Sequence, residues 1–373
     1  MAGPPKQASR HVFARKRGTR RIHIFRAIYL VPFLFFLTIV VALWMMMAKS
    51  PNPTPEYTTF STVTGYFQQD NPITEDRGFD YTTTNFGLID RAYNGDSQFD
   101  PDHKKSQWER FGNEVARLNH DSKPKVQYKL LYMGRHGEGY HNVAEAFYGT
   151  HDWDCYWSLK DGNGTITWSD ALLTSAGIAQ AEKANAFWRS QIASQNIPTP
   201  ESYYTSPLLR CLATANVTFS GLDLTEDRQF VPTIKELFRE ELGVHTCDRR
   251  SSKSIIRENY PSWPFEAGFK EDDPLWDAEH RETNEAMDIR LMQALEDLFS
   301  NDKSTYISIS SHSGAIGSIL RVLGHRGFSL GTGQVIPVLV KAEQVAGEGP
   351  PRGKGPYTTI STCPAPSATA VPI

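Results

Sequence analysis

Between Val126 and Ala342 the chain alternates short apolar runs with longer segments whose apolar residues recur every three to four positions. The runs VQYKLLYM, ESYYTS, TYISIS and QVIPVLVKA lack helical spacing and are rich in Val, Ile and Tyr, which marks them as strands. By contrast TSAGIAQAEKANAFWRSQIA, PLLRCLATANVTF, DAEHRETNEAMDIRLMQALEDLFS and GAIGSILRVLG gather Ala, Leu and aromatic residues at helical spacing, and Gly324 closes the last. Strands alternating with helices predict an α/β fold: a three-layer α/β/α sandwich with a mainly parallel sheet. In such a sheet ligands bind beyond the carboxyl ends of the strands.

Outside that region the pattern changes. Residues 1–26 carry Lys6, Arg10, Arg15, Lys16, Arg17, Arg20, Arg21 and Arg26 and no acidic residue, so a net charge of -3 over 373 residues hides a basic start. The uncharged stretch Ala27–Ala48 follows. About 20 apolar residues cross a bilayer core as a helix. The stretch is longer than the apolar region of a cleaved signal peptide, so one transmembrane signal anchor is expected over 27–48. Only Lys49 follows it closely before Glu56 and Asp70, which leaves the N-terminus cytosolic and the rest of the chain lumenal or extracellular. The alternative for an Arg-rich start without acids is a mitochondrial presequence, but those are amphipathic rather than uniformly apolar. Beside an anchor the basic run sets topology and meets anionic lipid rather than nucleic acid.

Residues 49–125 are rich in Pro, Asn, Asp, Thr and Tyr without a sustained period, and suggest a stalk and irregular lead-in that packs on the domain through Phe79, Tyr81, Phe86 and Trp108. The Gly- and Pro-rich residues 343–373 suggest a flexible tail. The globular domain is thereby bounded at 126–342, long enough to bury a core. Four cysteines, Cys155, Cys211, Cys247 and Cys363, have no CxxC spacing; an oxidising lumen leaves room for one bridge without saying which.

Three strand ends carry the chemistry. Arg135 and His136 stand where VQYKLLYM runs out, and His312 stands where TYISIS runs out. Gly137 and Gly314 let the backbone turn sharply after each histidine. ESYYTS ends in Ser206-Pro207, which has the form of an N-cap followed by proline at the first helical position, and Arg210 lies in the first turn of the helix so opened. Two arginines, two histidines and a helix N-terminus on one sheet edge describe a site for a compact dianion, most simply a phosphoryl group. A neutral imidazole there is a competent nucleophile, and a carboxylic acid is then needed to protonate the leaving oxygen and later to activate water. His141, His151 and His245 lie off these strand ends and count as structural or pocket-lining.

The motifs RHGEGYHN, LTSAGIAQA, YTSPLLRCLAT, FREELG and SHSG, in this order, resemble the histidine phosphatase superfamily with its phosphoglycerate-mutase-like fold. DCYWSLKDGNGTITWSDALLT and HTCDRRSSKS are similar to its fungal phosphomutase-like branch. The resemblance spans Tyr128–Ala342. It implies that His136 is phosphorylated, that Arg135, Arg210 and His312 hold the phosphoryl group, and that Asn142 lies near it. It also implies an acid within LFREELG, with Glu240 first and Glu236 and Glu241 as rivals.

The expected activity is that of a membrane-anchored phosphohydrolase acting on a small phosphorylated substrate, without metal or organic cofactor. A mutase using the same intermediate and a non-catalytic anion-binding module are the alternatives. EAGFKEDDPLW lacks His and Cys and reads as a solvated loop rather than a metal site. GEGPPRGKGP has Glu348 and Gly355 where a phosphate loop needs Gly and Ser/Thr.

Overall fold

Six strands make the central sheet of the computed structural model, which describes residues 35–40, 54–350 and 352–366. They are β1 (Glu56–Thr62), β2 (Val126–Arg135), β3 (Ser202–Thr205), β4 (Thr233–Ile234), β6 (Tyr306–Ser311) and β7 (Val335–Ala346), in the order β1-β7-β2-β6-β3-β4. β2, β6, β3 and β4 pair in parallel, whereas β7 runs antiparallel to both β1 and β2. Five of the six strands therefore share one direction. A separate two-stranded sheet joins β5 (His280–Glu282) to β8 (Tyr357–Thr359).

The pleat of β2 sends its residues alternately into two cores. Leu131 and Met133 join Ile307, Ile309, Ile336 and Val338 beneath α7 (Asn284–Asn301) and α8 (Ser313–Val322). Leu130 and Tyr132 face the other way, onto Trp108, Phe111 and Trp188 from α1 (Gln107–His120) and α4 (Ser175–Gln195). A mixed α/β fold with helices on both faces of a central sheet results, the short α3 (Thr150–Cys155) and α6 (Lys253–Asn259) lying in the connections.

Several boundaries differ from the sequence expectations. The segment expected as stalk and lead-in forms β1 and α1 and buries Tyr66, Phe67, Phe86 and Trp108 in the second core. The described part of the tail is held by pairing and a covalent tie: β7 continues to Ala346, β8 pairs with β5, and Cys363 is disulfide-bonded to Cys155. The helix expected from Asp277 starts at Asn284, because the Thr283 hydroxyl accepts the Ala286 amide and caps it there, leaving His280–Glu282 to pair with β8. The helix expected after Ser206-Pro207 is α5, Leu209–Phe219; its first amide, on Leu209, is accepted by the Asp170 carboxylate at 2.9 Å rather than by Ser206.

The residues from Glu56 onward form one compact unit. Of the expected anchor over Ala27–Ala48, residues 27–34 and 41–48 lie outside the described residues and 35–40 are helical; among the described residues no helix is long and apolar enough to cross a membrane.

Candidate active site

His136 follows β2 directly, and its amide extends the parallel ladder by donating to Ser311 O at 3.0 Å. Its side chain is 2% exposed. Nδ1 donates to the Gly137 carbonyl at 2.7 Å, which fixes the proton on that nitrogen and leaves the Nε2 lone pair free. Gly137 is required by close approach, since a Cβ there would overlap the Gly177 carbonyl at the start of α4. The Gly137 amide donates to Thr214 Oγ1 at 2.9 Å, tying the turn to α5.

His312 caps the start of α8, fully buried, with its ring centroid 5.1 Å from that of His136. Its Nε2 lies 2.8 Å from Ser206 Oγ, so the serine expected to cap a helix instead orients a histidine. Arg135, at the end of β2, gives Nη1 to Leu330 O at 2.6 Å. Arg210, in the first turn of α5 and buried, gives Nη1 to Cys247 O at 2.6 Å and Nη2 to Asp248 Oδ1 at 2.8 Å. The Nε donors of both arginines are buried without a partner. A buried donor left unpaired costs about 1–3 kcal/mol, so two of them beside one imidazole mark a place where a ligand supplies the acceptors.

The rival glutamates separate clearly. Glu236 is held by Arg239 and Arg250, and Glu241 by Arg281. Glu240 alone reaches the N-terminus of α8, where its Oε2 accepts from Gly314 N at 3.0 Å and its Oε1 from Ala315 N at 3.1 Å. A Cβ on Gly314 would overlap that carboxylate. Burial, and then the charge of Asp248, nevertheless push the Glu240 carboxyl above the ordinary range.

Asn142 sits in the first turn of α2 (Tyr140–Tyr148), where its Oδ1 accepts from Gly139 N at 3.0 Å and caps the helix. His151 is exposed beside Asp152. His245 is buried, its ring 6.2 Å from that of Trp153, and burial followed by Arg281 lowers it to about 4. His141, set aside on sequence grounds, packs its ring 5.3 Å from that of His136. His136, His141 and His312 are all held below the ordinary imidazole range, by burial first and then by Arg210. Three neutral imidazoles and two guanidinium groups thus share one buried cluster.

His245, Cys247 and Asp248 also lie close together, but Asp248 is taken by Arg210 and approached by Arg281, and burial holds the Cys247 thiol protonated. That donor set does not suit a metal ion, which needs deprotonated ligands.

An α/β sheet whose parallel strands end in Arg-His and His, facing a helix that carries a second arginine, defines a phosphoryl-binding protein. The chain belongs to the histidine phosphatase superfamily (branch 1), whose family model matches residues 157–335. It is 54% identical over 285 residues to a protein of Arthroderma benhamiae named probable phosphoglycerate mutase, covering 76% of this chain and 85% of that one. Phosphomutase-like protein 3 of Candida albicans is 33% identical, covering 81% and 85% respectively. Among solved structures, the alpha-ribazole phosphatase from Shigella flexneri aligns at a TM-score of 0.33 with 19% identity, covering 56% of this chain and 89% of that one. Membership of this family carries phosphatase or mutase chemistry through a phosphohistidine.

Proposed function

We propose that the chain is a membrane-anchored phosphatase that hydrolyses a small phosphate monoester, with His136 as nucleophile and Glu240 as general acid and base. The observation that carries this reading is the free Nε2 of His136 among two buried, unpartnered guanidinium donors. In the first step the Nε2 lone pair forms a bond to phosphorus. The bond from phosphorus to the leaving oxygen breaks, its electron pair goes to that oxygen, and Glu240 protonates it. Arg135, Arg210 and His312 stabilise the charge on the transferring group, with Asn142 beside it. Water then attacks phosphorus, its proton passes to the Glu240 carboxylate, and the P–N bond returns its electron pair to His136. The elevated Glu240 and depressed His136 favour the two protonation states that the first step needs.

A mutase acting through the same phosphohistidine is the second reading, and the names of the two similar fungal proteins favour it. The anchor reading rests on the uncharged Ala27–Ala48 behind a basic N-terminus, and the lumenal reading gains support from the Cys155–Cys363 bridge, which suits an oxidising compartment.

The test is phosphate release by the purified full-length chain from a panel of phosphate monoesters between pH 4 and 8, with and without an added alcohol. Release of inorganic phosphate is the expected outcome. Transfer to the alcohol in preference to water would replace hydrolysis by mutase action, and no turnover by the folded chain would leave a binding module. Protease protection of the catalytic unit in sealed microsomes tests the topology; its digestion without detergent would overturn the lumenal placement.

A further inference from the structure

The phosphoryl site as described leaves one polar group unexplained. His141 is 9% exposed, and neither nitrogen of its ring makes a hydrogen bond within the described residues. Nδ1 is sealed against the backbone: a Cβ placed on Gly139 would lie 2.7 Å from Nδ1 and 2.8 Å from Cε1. A proton on Nδ1 would therefore be a buried donor with no acceptor, and the neutral ring is left carrying its proton on Nε2, the nitrogen that is not sealed. The ring stands 5.3 Å from His136, with Arg210, Arg135, His136 and His245 as the charged or titratable groups that act on it. No carboxylate is among them. A core histidine normally satisfies its nitrogens with a carbonyl, a hydroxyl or an acid, as His136 does with Gly137 O and His312 with Ser206.

We infer that His141 is a further ligand of the phosphoryl group, donating from Nε2 to one of its oxygens beside the Arg135 and Arg210 donors. It rests on the phosphoryl-site reading above and adds to it a residue whose place on α2 couples substrate binding to the loop from Gly137 to Tyr140. Gly139 serves the same purpose indirectly, since its missing side chain makes room for the imidazole. Its φ of -105° suits any residue, so an alanine there disturbs the ring rather than the backbone.

Binding of inorganic phosphate to the purified full-length chain, measured by titration calorimetry and as competitive inhibition of p-nitrophenyl phosphate hydrolysis, decides the matter. A hydrogen bond to a charged group predicts a phosphate Kd weakened about 10- to 100-fold in His141→Ala. His141→Asn, whose amide still donates, should recover part of the affinity, and Gly139→Ala should reproduce part of the loss. Phosphate binding within about twofold of wild type in folded His141→Ala would overturn the inference, as would a lowered kcat with unchanged phosphate inhibition. If His141→Ala does not fold, Gly139→Ala and His141→Asn decide by the same criterion. Wild-type chain that binds phosphate without turning over substrate removes the hydrolase reading and leaves this test standing; wild-type chain that does not bind phosphate overturns both.

Discussion

The two ends of β2 each carry a cation and treat it in opposite ways. Lys129, near the start, is 3% exposed, and its ammonium donates to the carbonyls of Asp302, at 2.9 Å, and Ser304. Arg135, six residues on, gives one nitrogen to Leu330 O and leaves Nε buried and empty. The first is a cation whose hydrogen bonds are completed by the fold. The second is incomplete, and around it lie the empty Nε of Arg210 and Nδ1 of His141. Burial alone is thus no sign of function; unsatisfied polar groups gathered at one strand end, two guanidinium donors and an imidazole nitrogen, are the mark on which the proposed site rests.

The comparison breaks most decisively at His136. His136→Ala should reduce phosphate release by about 10^4-fold or more, since no other group at the site supplies a nucleophile. Retention of more than about a hundredth of wild-type activity would mean that the incomplete end of β2 is not where the chemistry occurs.

Glu240→Gln comes next, with an expected loss of roughly 10^2- to 10^4-fold for an alkyl phosphate and much less for an aryl phosphate whose leaving oxygen needs no proton. The sign of the pH dependence follows from the two shifted groups. Glu240 is raised, by burial and Asp248, and so stays protonated to higher pH than an ordinary glutamic acid. His136 is lowered, by burial and then Arg210 and Arg135, and so stays a free base to lower pH. Activity should peak on the acid side of neutrality and fall as Glu240 ionises. That alkaline fall should disappear in Glu240→Gln, and its persistence would assign it to another group.

Arg135→Met sharpens the comparison at the same end, with an expected loss of about 10^2-fold in kcat from the removal of one charge-stabilising donor. Stability should change little, since the lost Leu330 contact is offset by the removal of a buried unpaired Nε. A large fall in melting temperature with kcat intact would make Arg135 structural, like Lys129.

Much of this contrast was visible in the amino-acid pattern, and the remainder was hidden for physical reasons. The buried parts of β2 and β7 show as largely apolar runs and β6 as Ile alternating with Ser, so Arg135, His136 and His312 could be placed at strand ends by topology. Within residues 56–125 the contacts of Phe86 and Trp108 could be named from their types, but the strand β1 and the entry of Tyr66 and Phe67 into the core could not, because these two rings come from an irregular segment with no period to detect. Asp170 caps α5 from 39 residues away, and Ser206 is thereby released to His312; a local capping rule cannot see either partner. Asp248 meets Arg210 through a loop that offers no spacing signal. His141 was passed over because it stands on a helix and not at a strand end, although its neighbour Asn142 was selected by the same motif.

The smallest expected effect on activity belongs to Lys129→Met, and it tests the other half of the comparison. Lys129 lies at the opposite end of β2 from His136, so kcat/KM should stay within about twofold of wild type, as for sites that share no partners. Stability is another matter. Methionine fills the volume against Phe299, whose ring lies 5.6 Å from the ammonium, but it strands the carbonyls of Asp302 and Ser304. The loss should be about 1–3 kcal/mol in urea unfolding, with the m-value unchanged. Burial already holds the Lys129 ammonium below its ordinary range, so part of the cost of burying the charge is relieved by its removal, which argues for the lower end of that interval. A tenfold fall in kcat/KM at unchanged stability would reverse the assignment, making the satisfied cation the functional one and removing unsatisfied donors as the mark of the site.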